Sequence, residues 1–216
     1  MPICSAAMSS SPPAPPQQLH GHVPADGNRR RNRQEPDQGA SDDSEAKCYL
    51  IITNISKKPN VKSLLLLAAA FGCETVFVAG QKKIDFSVEG RDLPHQLKNM
   101  VRNGQMDIVK FDRLDECIAH IKSIVGAKVL GVEIDERAKD VEGEPFEGDT
   151  AIMMGNEGQG MNKKQMSLCD GFVKIAQYGG GTASLNVYVA ASIVLHRFHH
   201  WARGDDVRRY CGGYDE

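Results

Sequence analysis

Thr150-Ala151-Ile152-Met153-Met154-Gly155-Asn156-Glu157-Gly158-Gln159-Gly160 opens as an apolar run of strand length and ends as a loop with three glycines in six residues. A short apolar run without alternation reads as a strand buried on both faces. Glycines after it let the backbone approach a ligand and take positive φ. Open α/β sheets hold ligands in loops at the carboxyl ends of their strands. The spacing is neither G-x-G-x-x-G nor a P-loop, and the Lys-Ser/Thr that grips phosphates is missing. A cradle for a nucleotide phosphate is therefore a poor fit. A loop offering amides and carbonyls to a neutral or cationic ligand fits better.

Outward from this stretch the same pattern repeats. Residues 48–53 (CYLIIT), 75–79 (TVFVA), 107–111, 128–134 (KVLGVEI) and 171–175 read as further strands. Between them, 61–71, 94–101, 114–124 and 163–168 read as helices, and 184–201 as a long final helix. Asn60 is placed to cap the first long helix, Gly72 to stop it, and Ser184 to cap the last. Strands alternating with helices predict an α/β fold, a mostly parallel sheet with helices on both faces.

The chain has 216 residues and a net charge of −2. Apolar content of 41% and charged content of 25% are those of ordinary globular proteins. Collagen, coiled coil and disulfide scaffold are excluded, and no apolar run approaches the ~20 residues of a membrane span. Seven of the ten prolines fall in residues 1–46, which contain no Phe, Trp or Tyr. This segment lacks the apolar surface to offset its chain entropy and reads as a disordered arm. It holds four arginines and six carboxylates, so the remaining 170 residues balance to zero charge. Residues 47–201 read as one domain and 202–216 as a flexible tail.

Six cysteines stand singly, with no Cys-x-x-Cys pair and no zinc spacing to a histidine, so no metal is expected. Reduced thiols and the lack of an apolar leader run suggest an intracellular protein, cytoplasmic or nuclear, with organelle import left open. Arg29-Arg30-Arg31-Asn32-Arg33 reads as a solvated charge run, with a nuclear signal or a weak RNA contact as the other readings.

From Leu185 to Leu195 the polar side chains are Asn186, Tyr188 and Ser192. A helix this apolar all round is buried on most sides, so a second subunit is expected against it.

Three segments together resemble the motifs of the SpoU (TrmH-like) group of SPOUT RNA methyltransferases. Asn60-Val61 with Ala68-Ala69-Ala70-Phe71-Gly72 resembles motif one. Gly155 to Met161, with Cys169-Asp170, resembles motif two. Ser184-Leu185-Asn186-Val187 followed by Ala190-Ala191 resembles motif three. The resemblance runs from about Tyr49 to Phe198.

It implies an α/β sheet whose carboxyl part is threaded into a trefoil knot, a rare exception to chain-connection rules. It implies S-adenosylmethionine bound at the knot, methyl transfer to a ribose 2′-hydroxyl of tRNA or rRNA, and a homodimer with RNA on both subunits. Carried over by position, Gly155, Ile175 and Leu185 contact the cofactor, largely through backbone. Glu157, Ser184 and Asn186 fall at polar site positions, and Asn60 at the motif-one Asn. Glu157 also fits a loop-stabilising carboxylate.

One departure stands out. The family carries an Arg six residues after the motif-one Asn, proposed to activate the hydroxyl; here that residue is Leu66, within Leu64-Leu65-Leu66-Leu67. Leucine neither takes a proton nor holds a phosphate. Lys62, one helical turn earlier on the same face, is a substitute candidate, with a solvated first-turn lysine as the plain alternative. Lys57 and Lys58 beside it make a small positive patch, and Arg91 and Arg102 are further possible RNA contacts. An RNA 2′-O-methyltransferase is the leading expectation, and a non-catalytic dimeric relative that binds cofactor or RNA is the alternative.

Overall fold

Six apolar runs read above lie side by side as parallel strands. The computed structural model describes residues 17–18, 45–156, 158–179 and 184–204. Its strands are β1 (Gln17–Gln18), β2 (Cys48–Thr53), β3 (Thr75–Ala79), β4 (Asp107–Phe111), β5 (Lys128–Val132), β6 (Lys139–Asp140), β7 (Thr150–Met154) and β8 (Gly171–Lys174). They form one sheet in the order β1-β4-β3-β2-β7-β5-β8-β6. All pairs are parallel except β1 with β4. One in-register row crosses it from Ile108 through Val76, Leu50, Ile152 and Leu130 to Gly171. β6 went unread because two charged residues carry no strand pattern. Apart from β1, residues 1–44 lie outside the described residues, as do 205–216, so most of the expected arm and tail falls there.

The helices are α1 (Lys58–Ala70), α2 (His95–Arg102), α3 (Leu114–His120), α4 (Lys163–Leu168) and α5 (Val187–Arg203). Alternate side chains of the central strands feed two cores. Leu50, Ile52, Val76, Val78, Ile152 and Met154 pack with Leu64, Leu65, Ala68, Leu97, Val194 and Leu195 of α1, α2 and α5. Tyr49, Ile51, Phe77, Val109, Ala151 and Met153 pack with Cys117, Ile118 and Ile121 on the other face. Every residue of β2 and β7 is buried, as continuous apolar runs in a covered parallel sheet require.

The helix ends correct two expectations. Asn60 does not cap α1. The helix starts at Lys58 with Lys57 as N-cap, because Pro59 fits the first turn, where its missing N–H costs nothing. Asn60 is drawn inside and is 7% exposed. Likewise Asn186, not Ser184, caps α5, its side chain accepting the Tyr188 N–H at 3.1 Å. Ser184 lies two residues too early to reach the first turn. Gly72 does end α1, at φ +70°. Its N–H donates to Ala69 at 3.2 Å, and that of Cys73 to Ala68 at 2.9 Å, the Schellman pattern. α3 continues as a π-helical turn, Ile121–Val125, closed by Gly126 at φ +79°. Among the described residues no helix is long and apolar enough to cross a membrane.

Candidate functional site

At the carboxyl edge of the sheet the loops after β5, β7 and β8 meet the start of α5 around a cavity of about 280 Å³. That is near the small end of ligand pockets, which span ~300–1,000 Å³. Val132, Met154, Leu185, Val187 and Ala190 give it apolar walls. Gly155, Asn156, Gly158 and Gly160 bring backbone to its rim, and Glu133, Lys174, Gln177 and Ser184 bring polar side chains. Such walls suit a flat ring held by backbone groups.

Asn156 builds the glycine loop. Its backbone exchanges two 3.0 Å hydrogen bonds with Gly160, closing a small ring. Its side-chain oxygen accepts the Gly158 N–H at 3.0 Å. Its amide donates outward to the Asn54 carbonyl at 2.8 Å and the Ser56 hydroxyl at 3.1 Å. The ring closes so tightly that a Cβ on Gly155 would lie 3.0 Å from the Gly160 carbonyl carbon. Gly160 sits at φ +66°, and a Cβ there would strike the Glu133 carboxylate. That carboxylate accepts the Met161 N–H at 2.6 Å and the Ile134 N–H at 3.0 Å, fixing the far end of the loop.

The structure brings Gly155, Ile175, Leu185 and Ser184 into one wall, although they span thirty positions of sequence. Glu157 lies outside the described residues. Asn186 caps α5 and does not line the cavity. Asn60 and Lys62 lie on α1 and line no part of this cavity. Lys62 is half-buried and adds to the positive field that, with Lys58, holds the Asp92 carboxyl below its ordinary range; the Asp85 N–H is the largest cause of that shift. Leu66 is 39% exposed on the outer face of α1 and also misses the cavity.

The second half of motif two is structural. Asp170 accepts the Val129 N–H at 2.8 Å and pairs with Lys122. Cys169 bonds the Gln165 carbonyl at 3.4 Å, and burial pushes its thiol up to about 12, so it is no nucleophile at neutral pH. Among the described residues no cluster of three or more His, Cys, Asp or Glu could hold a metal ion.

Sequence reading missed Glu133, Lys174 and Asn156. A charged residue directly after the apolar run KVLGV was the available signal for Glu133. Its nearness to Gly160 depends on β5 lying beside β7, which spacing does not reveal.

A parallel sheet with a backbone-lined cavity at its carboxyl edge, framed by a closed glycine loop and the start of a buried helix, defines an open α/β protein with a candidate ligand site at the carboxyl ends of its strands. The chain belongs to the SpoU rRNA Methylase family, whose model matches residues 47–196. It is 30% identical over 168 residues to the 23S rRNA (guanosine-2′-O-)-methyltransferase RlmB of Acinetobacter baylyi, covering 76% of this chain and 64% of that one. The chain thus spans less than two thirds of that relative's length. Its fold is similar to that of the SpoU methyltransferase AviRb of Streptomyces viridochromogenes in complex with the cofactor AdoMet. There the TM-score is 0.57 at 21% identity, covering 73% of this chain and 60% of that one. The A. aeolicus TrmH/SpoU tRNA modifying enzyme gives a TM-score of 0.57 at 17% identity, covering 75% and 77%.

Proposed function

We propose that the chain is an S-adenosylmethionine-dependent ribose 2′-O-methyltransferase acting on tRNA or rRNA. The observation that carries this is the single cavity into which Gly155, Ile175, Leu185 and Ser184 converge in a SpoU family member. The relative RlmB is named for guanosine 2′-O-methylation of 23S rRNA, and AviRb was solved with AdoMet, which supports both the reaction and the cofactor.

The residues present fit that cofactor. The apolar walls suit its adenine, and the lack of a Cβ at Gly155 and Gly158 lets backbone line the cavity beside it. When bound, the cofactor supplies a methyl group already electrophilic on a sulfonium. The protein's work is then to place the ribose hydroxyl in line and to assist loss of its proton. Glu133 holds the loop in shape, and Ser184 offers a hydroxyl at the rim. We also propose the trefoil threading: β7 lies between β2 and β5, β8 lies beyond β5, and α5 then returns across the sheet to α1, which supports it. The homodimer is proposed on the apolar faces of α1 and α5. An intracellular, cytoplasmic or nuclear location is proposed on the free thiols of Cys48, Cys73, Cys117 and Cys169.

Leu66 favours a second reading, a dimer that binds cofactor or RNA without turnover. Methyl transfer from labelled S-adenosylmethionine to total tRNA and rRNA separates the two, with wild type beside Leu66→Arg. Incorporation by the wild type is expected. An inert wild type that gains activity on Leu66→Arg would establish the non-catalytic reading.

A further inference from the structure

Three lysines at the carboxyl edge of the sheet differ from those at the amino edge. At the amino edge Lys47 pairs with Glu74 at 3.1 Å, Lys128 with Glu147 and Lys122 with Asp170. At the carboxyl edge Lys57, Lys82 and Lys83 are exposed and pair with no carboxylate among the described residues. The nearby carboxylates there are already engaged. Asp92 takes Lys58 at 3.2 Å and the Asp85 N–H at 3.1 Å, and Asp85 takes the Ser87 N–H at 3.0 Å. Asp112 follows β4, one strand further out.

Strand order sets these lysines in a row. β3, β2 and β7 are neighbours, so the loops at 80–83, 54–57 and 155–160 follow one another along the edge. Strands lie about 4.8 Å apart, so the Lys82–Lys83 loop begins about 10 Å from the glycine loop. The three loops are tied together. Gln81 donates to the Ile55 carbonyl at 3.2 Å, and Asn156 donates to Asn54 and Ser56. Exposed cations carried on two adjoining loops beside a cavity fit a run of phosphates rather than a single anion.

We infer that Lys57, Lys82 and Lys83 form a phosphate track that grips the RNA backbone on the β3 side of the cavity and feeds the target ribose into it. The inference rests on the reading of an RNA-directed enzyme given above. Because the folded segment carries no net charge, this local track supplies the attraction that bulk charge does not.

The test is the salt dependence of binding of the full chain to fluorescein-labelled bulk tRNA, followed by anisotropy. Each phosphate contact contributes ~0.7–0.9 to the slope of log K against log salt, so Lys57→Gln/Lys82→Gln/Lys83→Gln should flatten it by about 2. Affinity at low salt should fall at least about tenfold. Lys47→Gln/Lys122→Gln/Lys128→Gln, at the opposite edge, should keep the wild-type slope. A wild-type slope in the first variant, or equal flattening in both, overturns the track. Calorimetric titration with S-adenosylhomocysteine runs alongside. The first variant should bind it like the wild type, and loss of that binding would overturn the assignment of these lysines to RNA alone. A wild type that fails to bind it would instead sink the cofactor reading and leave the RNA result standing.

Discussion

Gly160 shows how much a single position carries at this site. Its φ of +66° disfavours any side chain, and a Cβ would meet the carboxylate that fixes the Met161 amide. Gly160→Ala therefore combines backbone strain of ~1–3 kcal/mol with a displaced Glu133. A loss of cofactor affinity of at least about tenfold is expected by calorimetry, with a lowered urea midpoint. Gly158→Ala is the matched control: that Cβ meets nothing closer than 3.9 Å, and near-normal affinity is expected. Equal affinities for the two variants would remove the close-packed loop from the account. At this scale the sequence was informative about backbone and poor about side chains. Gly155 and Gly160 were legible because glycine at a strand's end has few purposes. Asn60, Asn186 and Ser184 were harder, because the same polar residue serves as cap or ligand and only the fold chooses.

Among the elements, α5 joins the site to the core. Val187, Ala191, Val194, Leu195 and Phe198 form its buried stripe, and its first residues wall the cavity. Near its carboxyl end Phe198 meets Phe146 at 5.2 Å and Trp201 at 5.5 Å between ring centroids. Phe198→Ala should cost ~3–5 kcal/mol through lost burial and the void left behind. Trp201 is the single tryptophan. Its emission should therefore shift in the same variant before unfolding, and an unaltered spectrum with unaltered stability would contradict the packing. Elements of this kind were the most legible feature. Runs such as CYLIIT and TVFVA gave β2 and β3 to the residue, since a fully buried parallel strand permits little but apolar side chains. Helix starts were less legible, because Pro59 shifted α1 upstream of the expected cap. The π-helical turn at Ile121–Val125 leaves no mark in an apolar pattern of ordinary helical spacing.

For the whole molecule, the sheet order was illegible. Placing β7 between β2 and β5 depends on pairings across about a hundred residues, which no local pattern encodes. The expected burial of α5 on most of its sides is met within one chain along the stripe from Val187 to Phe198, and other positions remain open. Tyr188 is 40% exposed on α5 and Leu66 is 39% exposed on α1, two helices that pack together. If a second copy covers these two side chains, Tyr188→Glu/Leu66→Glu should convert a dimer to a monomer by light scattering while the far-ultraviolet circular dichroism stays unchanged. A wild-type monomer at micromolar concentration would remove the second subunit.

The Asn156 side chain was introduced above as the builder of one loop. Because it also grips Asn54 and Ser56, it ties the glycine loop at the cavity to the loop after β2, where the proposed phosphate track begins. Ordering the cavity rim with a small molecule lowers the entropic cost of ordering its neighbour for a polymer. Linkage then demands that the favour be returned in equal measure: whatever factor the cofactor adds to RNA affinity, RNA adds to cofactor affinity. Under the proposed function, measuring cofactor affinity with and without tRNA should therefore give the same factor as measuring tRNA affinity with and without cofactor.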